Sequence, residues 1–161
     1  IKSNIVIVLI KKILSTYLIV KNINMDKKQM IKDFYENIVS NNLINEIDKY
    51  VSNDCAARSG ESTILIGLEG MRQHLIGVRT TYPDLKIKVV RQHMDQDFVI
   101  SEIITEGTHS GEWLGIKPSG KKLIFTGVNI DKIINDKIVE HGGAANIFDT
   151  FWSEKIVKAY Q

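Results

Sequence analysis

The hydrophobic period of this chain changes at Pro83, and that change limits the possible folds more than any other feature. Before it, apolar residues recur at helical spacing. Met30, Ile31, Phe34, Tyr35, Ile38 and Val39 form one set. Leu43, Ile44, Ile47, Tyr50 and Val51 form a second, and Leu68, Met71, Leu75 and Val78 a third that Pro83 stops. After it, a period of two takes over. Leu85, Ile87 and Val89 alternate with lysines and Val90, and Phe98–Ser110 and Lys122–Ile134 read as long strands. Asp95-Gln96-Asp97 can turn the chain. Asn135-Asp136 can close a hairpin, because both residues tolerate a left-handed backbone. Lys137–Asn146 then returns beside Lys122–Ile134, and a last helix is expected over Thr150–Tyr160. Asn53–Glu61 is polar and small, a short strand or a loop into a pocket, and Gly111–Gly120 is a connection.

Helices first and consecutive antiparallel strands afterwards make the fold α+β. The expected architecture is a curved, mostly antiparallel sheet with three to four helices laid across it. Such a cone has an interior, and an interior of this kind is a natural small-molecule site.

Composition removes several function classes. At 161 residues the chain suits one domain with a real core. A net charge of +2 is too small for a nucleic-acid surface. The single cysteine, Cys55, excludes an internal disulfide and fits a reducing, cytoplasmic setting. Four scattered histidines have no metal-ligand spacing, so no metal is expected.

Residues 1–24 stand apart. They are rich in Ile, Leu and Val and hold Lys2, Lys11, Lys12 and Lys21 with no acid. The rest of the chain then carries 17 of the 21 basic residues against 19 acids. Lys11-Lys12 breaks the apolar run below the roughly 18–20 residues that span a bilayer. We read residues 1–24 as an extension outside the domain and residues 25–161 as the domain. The rivals are a membrane-surface helix with a lysine-bearing face and a helix packed on the domain.

The stretch GTHSGEWLGIKPSGKKLIFTG, Gly107 to Gly127, resembles the G-T-H-x-G-x-x-x-G-x-x-x-x-G segment of SnoaL-like polyketide cyclases, also called ester cyclases, of the nuclear transport factor 2-like superfamily. IKDFYENIVSNN, GLEGMRQHLIGVRTTYPDLKIKV and VNIDKIINDKIVEH agree with that family in order and spacing, so the resemblance covers about residues 27–148. It implies a cone-shaped fold, a cofactor-free pocket enzyme acting on carbonyl compounds, and a homodimer. It also implies an acid–base aspartate five residues beyond the histidine of an E-H-W segment. Here the histidine is His141, so the aspartate position is Asn146 and the tryptophan position is Gly142. An amide cannot accept a proton near neutral pH. Asp149 is the substitute if the strand end bulges or slips. Arg58 stands near a position where family members commonly have histidine, and its guanidinium is a candidate for binding an enolate or carboxylate.

Pairing the last hairpin through Asn135-Asp136 sets Ile134 opposite Lys137. Continued without interruption, it sets Asn129 opposite Gly142, Gly127 opposite Ala144 and Phe125 opposite Asn146. These six are expected to line the cavity. Val128, Ile130, Val139, His141 and Ala145 then fall on the other side. His109, at the end of a strand, is a candidate for moving a proton or polarising a carbonyl. Trp113 reads as a lid or rim residue, and Tyr35 as a core tyrosine whose hydroxyl could reach the cone. His74 and His93 read as surface residues. The catalytic candidates are therefore His109, Asp149 and Arg58. The substrate-binding candidates are Asn146, Asn129, Phe125, Trp113, Tyr35 and Gly142. The competing expectation is a ligand-binding protein of the same fold that has lost its base.

Overall fold

The computed structural model describes residues 2–158, with side chains described for 6–17 and 27–158. The elements are α1 (Lys2–Asp33), a π-helical segment (Phe34–Val39), a 3-10 segment (Ile44–Lys49), β1 (Val51–Ser59), β2 (Ser62–Leu65), α2 (Gly67–Thr81), β3 (Lys86–Asp95), β4 (Phe98–Thr108), β5 (Lys122–Ile134), β6 (Lys137–Asn146) and α3 (Phe148–Ser153). The six strands form one curved, unclosed sheet in the order β2-β1-β6-β5-β4-β3. Every pairing is antiparallel except β1 with β6, which run parallel. Asn53–Glu61, left open between strand and loop, is therefore mostly strand.

The two expected turns form through left-handed residues. Gln96 has φ 51°, and Asn135 and Asp136 have φ 49° and 57°. The positive φ at both centres of the second turn matches the twist of its strands. The last helix is shorter than expected and begins earlier. It ends at Ser153, followed by Lys155 at φ 57°. Residues 159–161 lie outside the described part of the chain.

The core lies between the concave face of the sheet and the helices. Ile31, Phe34, Ile38 and Val39 cover it from one side, Met71 and Leu75 of α2 from another, and Phe151 of α3 plugs an end. Phe34, Phe151, Ile133 and Ile138 are all essentially inaccessible to solvent.

Helix α1 runs through Met25 without a break. The compositional boundary at that residue is thus not a boundary in secondary structure. Its exposure still divides it. Val6, Ile7, Val8, Leu9, Ile10, Ile13, Leu14 and Tyr17 are all exposed, whereas Ile31 is fully buried. No helix among the described residues is long and apolar enough to cross a membrane. We propose that residues 1–24 contribute little to the stability of the domain. Deleting them is expected to leave Tm within a few degrees. A fall of about 8 °C or more, worth roughly 2 kcal/mol or more at this size, would show that the segment packs on the core.

Candidate functional site

The site depends on one extra residue in β6. Ile134 pairs with Lys137 and Ile133 with Ile138, as the turn requires. The register then shifts, and Lys132 pairs with Glu140 and Asp131 with His141. Val139 is the residue passed over. Because side chains alternate, a one-residue slip moves every later side chain of β6 to the other face. Asn129 thus faces Gly143, Gly127 faces Ala145, and Asn146 faces Thr126. The uninterrupted pairing expected from the sequence is corrected by this bulge, and His141 turns inward.

Inward-facing Asp131 has no solvent exposure. A buried carboxylate is costly unless its oxygens are bonded. Both are. The Tyr35 hydroxyl donates to Oδ2 at 2.7 Å, and Nδ1 of His141 lies 2.8 Å from Oδ1. Burial and the charge of Asp131 hold the Tyr35 pKa well above that of a free phenol, so Tyr35 remains a donor. Burial alone would lower the His141 pKa, but the hydrogen bond and charge of Asp131 outweigh it and raise the value above the usual 6.5. The carboxylate also fixes the proton on Nδ1, leaving Nε2 as the nitrogen that can exchange a proton.

His141 lines a cavity of about 260 Å³. Ile103, Thr105, Phe125, Gly127, Asn129 and Gly143 contribute from the sheet, His74, Val78 and Tyr82 from α2 and its C-cap, and Trp113 from the β4–β5 connection. His74 stands across from His141, with ring centroids 6.0 Å apart. It keeps much of its own surface open to solvent, so it belongs to the mouth of the cavity. Burial by its surroundings and the nearby His141 both push its pKa below the usual 6.5. The two rings are thus shifted in opposite directions. Gly143 makes room for Asn129. A Cβ at position 143 would sit 2.6 Å from the Asn129 side-chain oxygen and 2.6 Å from the Val128 carbonyl oxygen.

The residues singled out from the sequence divide between the cavity and other places. Asn129, Phe125 and Trp113 line it. Tyr35 is buried beneath it and supports Asp131. Asn146 is exposed, and its amide donates to Asp149 at 2.8 Å. Position 146 lines a second pocket, of about 600 Å³, with Val90, Ile104, Thr126 and Val128 of the convex face. Asp149 is exposed in the first turn of α3 and does not line the cavity. Arg58 pairs with Glu140 at the junction of β1 and β6. Gly142 packs against Arg58, where a Cβ would lie 3.1 Å from the arginine's Cβ and backbone oxygen. A large side chain at 142 would therefore meet Arg58 rather than wall the cavity.

His109 is fully buried beside Tyr82 and Phe151, with ring centroids at 5.8 and 5.3 Å. Burial lowers its pKa, against a smaller upward pull from the Gly111 backbone. Its Nδ1 meets the Ser119 hydroxyl at 3.2 Å and accepts the Ser119 backbone N–H at 3.3 Å. His109 does not line the cavity; Trp113, which does, packs on Phe148 and Phe151.

Asp131, His141 and His74 were not among the candidates. The alternation Phe125, Gly127, Asn129, Asp131 puts Asp131 on the face already read as cavity, so that signal was present in the sequence. The bulge that turns His141 inward leaves no such trace.

The family model described as SnoaL-like polyketide cyclase matches residues 29–151. No curated protein matches the chain significantly. Among solved structures, AclR from Streptomyces galilaeus superposes with a TM-score of 0.70 at 20% identity, covering 85% of this chain and 89% of that one. IdmH from Streptomyces antibioticus gives 0.66 at 19%, covering 81% and 99%. A SnoaL-like polyketide cyclase from Agrobacterium tumefaciens gives 0.65 at 14%, covering 75% and 91%. At these identities the likeness is one of fold.

Proposed function

Because the chain belongs to the SnoaL-like polyketide cyclase family, we propose that it is a cyclase- or isomerase-type enzyme working without a cofactor on a small carbonyl compound, with His141 as its acid–base group. The observation that carries this reading is the buried Tyr35–Asp131–His141 chain at the wall of a cavity. Neutral His141 would take a proton from the carbon next to the carbonyl, and Asp131 would stabilise the imidazolium that forms. His74 and Asn129 supply donors for the developing enolate oxygen. His141 would then return the proton at a second position, which moves a double bond or follows ring closure. A pKa raised above 6.5 brings this base near working pH.

The test is exchange of α-protons into deuterated water across a panel of small ketones and β-keto esters. Wild type is expected to exchange at least one of them, and His141→Ala to lose that exchange. Asn146→Asp is expected to change nothing, since position 146 opens on the convex face. If Asn146→Asp instead gains exchange that wild type lacks, the acid–base group belongs at 146 and this assignment is wrong. Ligand binding without exchange by any variant would favour a binding protein of the same fold.

We also propose a homodimer through the convex face of the sheet, in a cytoplasmic protein. Val90, Ile104, Ile124, Val128 and Ile130 are all exposed there. Exposed apolar side chains grouped on one face, here interspersed with Glu102, Glu106 and Thr126, are the kind of surface that a second copy can cover. Sedimentation equilibrium at micromolar concentration is expected to give twice the 18.3 kDa chain mass, and Val128→Asp to give the monomer. A wild type that sediments only as monomer would exclude this face as a dimer interface.

A further inference from the structure

Acid–base chemistry in the cavity makes no use of the exposed stretch of α1. Every side chain from Val6 to Tyr17 is exposed. At about 100° per helical residue, Val6, Leu9, Ile10, Ile13, Leu14 and Tyr17 fall within an arc of about 140°, and Ile7 extends it to about 160°. No polar side chain among residues 6–17 interrupts that arc. The other side of the helix holds Lys11, Lys12, Ser15 and Thr16, with Val8 among them. The two lysines stand just beyond the two edges of the arc, Lys11 about 40° from Ile7 and Lys12 about 60° from Leu9. The far end of α1 is tied to the domain, where Ile31 is fully buried and Lys27 pairs with Asp97 at 2.8 Å.

The width and charge of this helix decide what covers it. Pairing with a second copy uses a narrow apolar seam flanked by charges of both signs. This arc is wider than such a seam, and residues 1–24 contain four lysines and no acid. Two copies would therefore bring lysine against lysine. An anionic bilayer reverses that repulsion. The apolar arc is buried at the boundary of headgroups and acyl chains, while the flanking lysines lay their aliphatic stems along it and reach the anionic headgroups. Tyr17, inside the arc, has the amphipathic ring favoured at that boundary. Lys11-Lys12 interrupts the apolar run, and no helix among the described residues is long and apolar enough to cross a membrane. The helix therefore fits the plane of the surface rather than a span.

We propose that residues 6–17 are an interfacial helix that lays this arc into an anionic bilayer and holds the domain at its surface. Residues 1–24 then remain an extension outside the domain, and the partner of the helix is lipid. The cytoplasmic leaflet, which carries anionic lipids, is the matching surface for a cytoplasmic protein. Membrane binding of this kind is independent of the acid–base reading.

Co-sedimentation of the full chain with lipid vesicles tests this. At roughly 0.1 M salt, where charges are screened over about 10 Å, wild type is expected to bind vesicles of mixed phosphatidylglycerol and phosphatidylcholine. It should bind pure phosphatidylcholine much more weakly. Lys11→Gln with Lys12→Gln should lose about 30-fold of the partition into anionic vesicles, about fivefold per lysine. Ile10→Asp with Ile13→Asp should lose binding to both kinds of vesicle. All four positions are exposed and outside the domain, so these variants stay folded. Tyr17→Trp should gain blue-shifted emission on anionic vesicles, read as a difference from wild type. A wild type that ignores anionic vesicles, or binds neutral ones equally well, would overturn the proposal. Undiminished binding by the Ile10→Asp, Ile13→Asp variant would overturn it too. If wild type ignores vesicles and that variant has a lower mass in sedimentation equilibrium, a second copy covers the arc and the lipid assignment is wrong.

Discussion

Replacing Asp131 by Asn is expected to slow proton exchange by about 10²–10⁴-fold while leaving the protein folded, the range typical of positioned acid–base groups. Asn has nearly the shape of Asp. The Tyr35 hydroxyl can still bond to it, and the cavity walls have no reason to move. What disappears is the negative charge beside His141, together with the acceptor that fixes the proton on Nδ1. Desolvation then acts on His141 unopposed, and its pKa falls. The pH dependence should follow. Wild-type exchange should rise with pH through a value above 6.5, as the imidazolium loses its proton and becomes a base. In Asp131→Asn the rise should come at lower pH and reach a lower plateau. Asp149→Asn changes a carboxylate that is exposed and outside the cavity, and should leave both rate and profile as they are.

Truncation of the same residue should damage the fold itself. Asp131→Ala leaves the Tyr35 hydroxyl and the His141 Nδ1–H without acceptors in the interior. Each orphaned group costs about 1–3 kcal/mol, so a loss of about 2–6 kcal/mol is expected. At this chain length that lowers Tm by about 4–24 °C. Tyr35→Phe removes one donor but leaves Asp131 bonded to His141, and should cost less. Equal losses from Asp149→Ala and Asp131→Ala would contradict the picture, because Asp149 is an exposed group. Stability should also depend on pH through His141. Its folded-state pKa lies above the unfolded value. The charged ring therefore adds stability that is complete below about 6.5 and is lost as pH rises through the raised value. Against His141→Gln, the advantage of wild type should shrink over that interval.

Strand limits and turns were readable from the sequence because local chemistry decides them. Lys122–Ile134 and Lys137–Asn146 occur with the bounds expected, since alternation and the Asn135-Asp136 turn act over a few residues. The face that each residue of β6 presents was not readable. Nothing in Lys137-Ile138-Val139-Glu140-His141 marks Val139 as the extra residue, yet it decides whether His141 or Gly142 looks inward. The parallel pairing of β1 beside the bulge, with Ala57 opposite His141, comes from a segment more than 80 positions away. The Tyr35–Asp131 bond is similarly remote, spanning 96 positions. His74 was correctly read as a residue on a helix with an exposed side. Its place at the cavity mouth comes from how α2 lies across the sheet, which local periodicity does not encode. Asn146 drew attention through resemblance, and the same bulge that brings His141 in turns position 146 to the convex face.

Histidine titration followed by NMR tests the central claim without needing the substrate. The chain has four histidines, and single substitutions assign their resonances. The account predicts that His141 titrates above 6.5 while His74 and His109 titrate below it. In Asp131→Asn the His141 resonance should move below 6.5. A wild-type His141 that titrates at or below the ordinary histidine value, or one that ignores the loss of Asp131, would contradict it.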